Sequence, residues 1–159
     1  LADAGDGALS WDARKVRFVR EGSNVTITGK VIDGTFPDYR RVIPGVHSVF
    51  QFDGEDALGA IKRVRIASDA KERKLRIKPT GEGLELRIDG TSGFEGCEEI
   101  EAQCDGEHES MVNADYLANM LDACGEGAVR VSQEDANSPF RFDPIDDTNF
   151  VGVVMPMRF

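Results

Sequence analysis

The chain has 159 residues, 40% of them hydrophobic and 30% charged, with 19 Lys+Arg against 29 Asp+Glu and a formal net charge of −10. That is enough apolar material for one ordinary domain with a real core, and it excludes a disordered chain. No apolar run reaches the ~18 residues that a membrane-spanning helix needs, and a pI of about 4.7 excludes a uniformly basic nucleic-acid binder.

The average hides a segregation of charge. Residues 1–80 carry 15 Lys/Arg and 11 Asp/Glu, whereas residues 81–159 carry 4 and 18. One basic half and one strongly acidic half point to two differently charged surfaces for two partners. Cys97, Cys104 and Cys124 form no CxxC pair, and His47 and His108 stand far apart. Such thiols fit a reducing cytoplasm, where they act as small apolar side chains; neither structural zinc nor another cofactor is expected.

The opening LADAGDG reads as the end of a helix and its glycine exit, as if the chain began inside a longer protein. Val16 and Phe18 then alternate with Lys15, Arg17 and Val19, and Val25 and Ile27 with Thr26 and Thr28, which predicts strands. Over 54–68, Ala57, Leu58, Ile61 and Val64 form a helical stripe with Asp53 as N-cap. Leu84, Leu86 and Ile88 against Glu85, Arg87 and Asp89 give a strand with one wet face, closed by Asp89-Gly90. Ile100, Ala102 and Cys104 alternate with Glu99, Glu101 and Gln103. A second helix is predicted over 113–124, with Leu117, Met120, Leu121 and Cys124 on one face, Asn113 as cap and Gly125 just past the end. Val129/Val131 and Phe140/Phe142 continue the alternation, and an apolar strand is expected from Phe150 to Met155. From residue 45 onward the order is a duplicated β-α-β-β-β unit, an α+β domain with helices packed on antiparallel sheets.

Charge runs carry two readings each. Lys62, Arg63, Arg65, Lys71, Arg73, Lys74, Arg76 and Lys78 oppose only Asp69 and Glu72. They form either a solvated face or a surface that follows phosphates without reading bases, and the second reading suits a stand-alone DNA-binding module. Glu95, Glu98, Glu99, Glu101, Asp105, Glu107 and Glu109 lie in a stretch without Lys or Arg. That strand either guards an edge against aggregation or meets a basic partner. Asp143, Asp146 and Asp147 suggest a divalent-cation cluster of a small hydrolase, but the glycine and ligand spacing of a calcium loop are missing, and a polar turn between strands suffices. Neither histidine has a nucleophile beside it and no GxxxxGK[ST] loop is present, so no catalytic constellation emerges.

Two stretches say more. Residues 33–44, DGTFPDYRRVIP, form an irregular run with two prolines, two arginines and two aromatics, and the chain closes on VMPMRF at 154–159. A methionine-bearing strand interrupted by proline suits an adaptable apolar groove, although core packing is the plainer reading of a methionine pair. Together these two motifs, bracketing the duplicated unit, resemble the bacterial sliding clamp, the DNA polymerase III beta subunit.

The resemblance implies a DNA-clamp fold with no catalysis. In this family two chains of three similar domains close a ring around duplex DNA and act as a processivity factor for replication. Residues 1–44 would be the end of the second domain with its linker, and 45–159 the complete third domain, so that the chain is a C-terminal fragment. It implies a cytoplasmic, nucleoid-associated protein whose partners are duplex DNA, DNA polymerase III and other proteins bound through short Gln/Leu/Phe motifs, and the clamp loader. The partner-peptide pocket would map to Pro37, Arg41, Val42, Asn113, Tyr116, Val153, Val154, Met155, Pro156, Met157 and Arg158. Lys62, Arg63 and Arg65 would face DNA. Ile66, Glu95, Glu98, Glu99 and Glu101 would form the edge for a head-to-tail homodimer, which this chain, lacking the partner domain, would not form by itself. The pattern departs at Glu72, where some members carry a pocket-edge aromatic, and at Phe159, where leucine is common. The pocket wall from the early second domain would be missing, which weakens binding.

Overall fold

Asp53 and Asn113 each end an extended strand and start a helix, and the architecture grows from that repeated event. The computed structural model describes residues 6–67, 73–90, 93 and 95–158. The chain forms two compact units, one up to Asp38 and one from Tyr39 onward.

In the first unit, β1 (Gly7–Trp11), β2 (Lys15–Arg20) and β3 (Thr26–Lys30) make an antiparallel meander in that order. Asp12 sets the first turn. Its carboxylate accepts the backbone N–H groups of Arg14 (2.7 Å) and Lys15 (2.8 Å), and those bonds hold its pKa below the ordinary value. Leu9 stands opposite Phe18, Phe18 opposite Ile27, and Trp11 opposite Val16, which gives the sheet one apolar face. Leu9, Trp11 and Ile27 on that face are exposed.

The second unit consists of two halves built alike. The first holds β4 (Ser48–Asp53), α1 (Gly54–Val64), a 3-10 turn (Arg65–Ala67), β5 (Lys74–Pro79), β6 (Gly83–Asp89), β7 (Glu95–Glu101) and the short β8 (Gln103–Cys104). The second holds β9 (Ser110–Asn113), α2 (Ala114–Cys124), β10 (Ala128–Gln133), β11 (Phe140–Pro144), β12 (Gly152–Val154) and the short β13 (Pro156–Met157). This is the duplicated β-α-β-β-β order expected from the sequence with one short strand added to each half, and the class is α+β.

The halves exchange their first strands. One five-stranded sheet runs β12-β11-β10-β4-β8 and the other β13-β9-β5-β6-β7. β4 therefore pairs with β10, and β9 with β5, each in the sheet of the opposite half. The helix starts repeat the symmetry. Asp53 accepts from Glu55 N (2.9 Å) and Asp56 N (3.1 Å), and Asn113 from Asp115 N (2.9 Å) and Tyr116 N (3.2 Å). The first N–H of each helix reaches the residue before the receiving strand: Gly54 N to Gly127 O (2.9 Å) and Ala114 N to Arg73 O (2.8 Å).

α1 and α2 pack on one another. Their buried faces combine small residues (Ala57, Ala60, Ala114, Ala118) with Ile61, Val64, Leu117 and Leu121. Phe50, Leu75, Leu84, Ile88, Phe140 and Phe142 complete the core from the two sheets. Cys124 is buried there, and burial pushes its thiol up to about 11, so it stays protonated at neutral pH.

Two expected boundaries change. α1 stops at Val64, short of 68, because the chain tightens into the 3-10 turn, where the Arg65 N–H bonds Ile61 O and Arg63 O. α2 ends as expected, with Gly125 taking a φ of +79° that favours glycine. The apolar run 150–155 is not one strand. β12 closes one sheet beside β11, β13 closes the other beside β9, and Met155 lies between them. Pro156 has no N–H to continue a ladder and sits on an edge strand, where proline is tolerated.

Candidate functional site

The crossing from β12 to β13 gathers most of the predicted groove. Pro156 stands opposite Val112 and Met157 opposite Met111, so the turn at Met155 lies at the Asn113 end of β9. α2 begins there and projects Tyr116, 64% exposed, from its first turn; Met155 is 59% exposed. Val154 is buried toward the core, Val153, Pro156 and Met157 are half-buried, and Arg158 is exposed. Asn113 spends its side-chain oxygen on the helix cap, which leaves its amide nitrogen as a donor. Gly152 packs closely under Met120, whose thioether would have to shift to admit a methyl group there.

Arg41 and Val42 reach the same unit from its start. A 3-10 turn at Tyr39–Arg41 is followed by Val42, whose N–H bonds Tyr39 O (3.1 Å). Two residues on, Pro44 O accepts from Arg141 Nη1 (3.4 Å), and Arg141 stands opposite Val153 in the β11–β12 ladder. Val42, 51% exposed, is thereby tethered near the β12 edge. Pro37 is exposed and belongs to the first unit. Glu72 and Phe159, the two departures from the clamp pattern, lie outside the described residues. Met111 was not foreseen; it aligns with Met157 and adds a second soft side chain to the groove floor. The whole is an exposed apolar surface with methionines, one aromatic and a few polar anchors, a chemistry suited to an extended peptide.

The charged residues are arranged differently from the expectation of two separate surfaces. Lys62 and Arg63 point to solvent from α1. Arg63, however, forks onto Glu98 of β7 through Nε–Oε1 and Nη2–Oε2, both 2.6 Å. The hydrogen bond from Arg63 lowers the Glu98 pKa, and Glu98 raises that of Arg63. A predicted DNA-facing residue and a predicted dimer-edge residue are thus partners. Arg65 and Arg73 both bind Asp115 at the start of α2 (Arg65 Nη2 to Oδ1, 2.5 Å). Asp115 escaped the sequence reading because nothing local marks a carboxylate that two distant arginines will share.

The basic run does not form one stripe, because it divides between α1 and β5, and Arg76 of β5 pairs with Glu109 at 2.8 Å. Ile66 is 86% exposed on the 3-10 turn, which lies against β7. On β7, an edge strand of its sheet among the described residues, Glu95 pairs with Arg87 (2.7 Å), Glu99 accepts from the Thr80 hydroxyl, and Glu101 is exposed. Asp143 lies within β11 rather than in a turn and is clasped by Arg141 at 2.9 Å. Asp147 accepts the Asn149 N–H (3.0 Å) and Asp146 sits against Gly127, so the three carboxylates do not converge. No helix among the described residues is long and apolar enough to cross a membrane.

This fold, two helices on reciprocally completed sheets with a lateral apolar crossing, is that of a DNA-clamp domain. The C-terminal-domain profile of the DNA polymerase III beta subunit matches residues 40–158, and the chain belongs to that family. It is 33% identical over 140 residues to the beta sliding clamp of Vibrio cholerae, covering 87% of this chain and 38% of that protein. Over 156 residues it is 34% identical to the beta sliding clamp of Caulobacter vibrioides, covering 94% and 40%. The crystal structure of the Caulobacter crescentus beta sliding clamp superposes with a TM-score of 0.84 at 30% identity, over 95% of this chain and 40% of the other. A Pseudomonas aeruginosa sliding clamp bound to griselimycin gives a TM-score of 0.82 at 29% identity, over 95% and 41%. The chain spans about two-fifths of the length of the curated relatives it matches.

Proposed function

We propose that this chain serves as the peptide-docking part of a bacterial processivity factor, a non-enzymatic ring that encircles duplex DNA in the cytoplasm and tethers polymerase. The observation that carries the reading is the Val153–Met157 crossing between the two sheets, set beside Asn113 and the exposed Tyr116. In this reading Arg41, Val42, Asn113, Tyr116, Val153, Val154, Met155, Pro156, Met157 and Arg158 receive Gln/Leu/Phe-type motifs of DNA polymerase III, the clamp loader and other partners. Residues 1–44 form the end of a second clamp domain and 45–159 a third. Lys62 with Arg63 and Arg65 approaches phosphates. Ile66 and the Glu95–Glu101 strand meet another copy head to tail.

A fluorescence titration with a labelled Gln/Leu/Phe peptide tests the groove. Saturable binding that Met155→Ala and Tyr116→Ala each weaken is expected. A folded chain that shows no binding at millimolar protein would remove the assignment.

A further inference from the structure

Six arginines of the second unit are neutralised by neighbouring carboxylates, and a cluster of cations in the first unit is not. In the second unit Arg63, Arg65, Arg73, Arg76, Arg87 and Arg141 all rest on carboxylates. In the first, the face of the meander opposite Leu9, Trp11 and Phe18 carries Lys15, Arg17 and Lys30, with Arg14 at its border. All four are exposed, and none has a carboxylate partner among the described residues.

The register makes this costly. Lys15 stands directly opposite Lys30, a cross-strand pair of like charges. Arg17 lies on the same face about 7 Å along the strand from Lys15, opposite Thr28, which stands beside Ser10 across Arg17. Two carboxylates border the patch: Asp12 is turned to the backbone of its own turn, and Asp33 lines a hollow beside Arg14, Lys15 and Lys30 without an ion pair to any of them. Shallow hollows flank the patch, one bordered by Arg14, Lys15, Lys30 and Asp33, the other by Ser10, Trp11, Asp12, Lys15, Arg17, Thr26 and Thr28. An uncompensated repulsion between exposed lysines does nothing for folding, and it is relieved by an anion laid across both.

We infer that this face of the β1–β2–β3 sheet is a second nucleic-acid surface, which holds a sugar–phosphate backbone through Arg14, Lys15, Arg17 and Lys30 with Ser10, Thr26 and Thr28 as hydroxyl partners. Trp11, which borders one hollow, belongs by register to the opposite face with Val16, so the contact is to backbone and independent of sequence. Duplex DNA carries a charge every ~1.7 Å of axis and offers phosphates to all four cations at once. The competing occupant is a flexible acidic peptide, which would have to order its chain to match cations that a rigid duplex meets with evenly spaced phosphates. The surface involves neither α1 nor the groove, so it stands or falls apart from the function proposed above.

The test uses the whole 159-residue chain and a fluorescein-labelled mixed-sequence duplex of about 20 base pairs, read by anisotropy. Four phosphate contacts predict a loss of affinity of roughly a hundredfold between about 50 and 200 mM salt. The double variant Lys15→Gln/Lys30→Gln is expected to lower the salt slope by about two and to weaken binding at least tenfold. Its melting temperature should not fall, since the change removes a repulsion. Lys62→Gln on α1 should leave the larger part of the binding intact. Absence of binding at low salt overturns the inference, as does binding that Lys62→Gln removes and the double variant does not. Tighter capture of polyglutamate than of duplex would also overturn it, by identifying the face as a site for acidic polypeptide.

Discussion

α1 and α2 begin on the same kind of cap, run for the same eleven residues and bury matching stripes, yet α1 shows Lys62 and Arg63 where α2 shows Asp122 and Ala123. Ile61 and Leu121 occupy equivalent buried positions, 1% and 2% exposed, and Asp53 and Asn113 equivalent caps. What folding demands is therefore repeated, and what faces solvent has diverged. The divergence assigns the work: α1 presents positive charge, and α2 opens on the exposed Tyr116 beside the terminal strands.

The largest test of that equivalence is in the core. Ile61→Ala and Leu121→Ala should each destabilise the second unit by about 2–5 kcal/mol in urea denaturation. A near-neutral result for one helix alone would end the equivalence. Next come the caps. Asp53→Ala and Asn113→Ala should each cost about 1 kcal/mol by the same measurement. Under the proposed function only Asn113→Ala should also weaken the Gln/Leu/Phe peptide, since only α2 borders the proposed peptide site; equal effects on the peptide would place that site elsewhere.

The smallest effect concerns the Arg63–Glu98 fork, which α2 has no counterpart for. The folded Glu98 titrates below its ordinary range because Arg63 hydrogen-bonds its charged form. The pair therefore contributes stability that is complete above the usual carboxylate range and is lost as pH falls through the lowered value. Thermal melts from about pH 6 down to pH 3 should show a slight acid-limb decline that Glu98→Gln flattens, slight because surface pairs are weak. An unchanged acid limb would mean that the fork is not formed in solution.

Much of the second unit is legible in the residues themselves. Alternation marks β6 and β11, the helical stripes mark α1 and α2, and Asp53, Asn113 and Gly125 mark the helix ends, because each of these signals is local. The strand exchange is not local. Alternation says which face of β4 is buried, but not that its neighbour is β10. The same holds for charge: Arg63 and Glu98 are 35 residues apart and look like members of opposite blocks until the fold joins them. The fully buried Gln133, bonded by Ser110 Oγ (2.7 Å) and by His108 Nε2 (3.1 Å), is a polar network that no pattern announces. Of the groove, the terminal motif and the α2 start were visible because they recur as a linear signature; Met111 became visible only through register.

The exchange of β4 and β9 has a consequence for how the unit can be taken apart. A polypeptide cut between Cys104 and Ser110 would leave each piece with a helix, three strands of one sheet and a two-stranded ribbon, β4 with β8 or β9 with β13, whose longer strand has its other ladder partner on the other piece. Neither piece could bury its helix or satisfy that strand by itself. Mixed together, the two pieces hold every missing pairing for each other. The unit thus behaves like an intramolecular heterodimer, suited to split-protein complementation, in which assembly and folding are a single event.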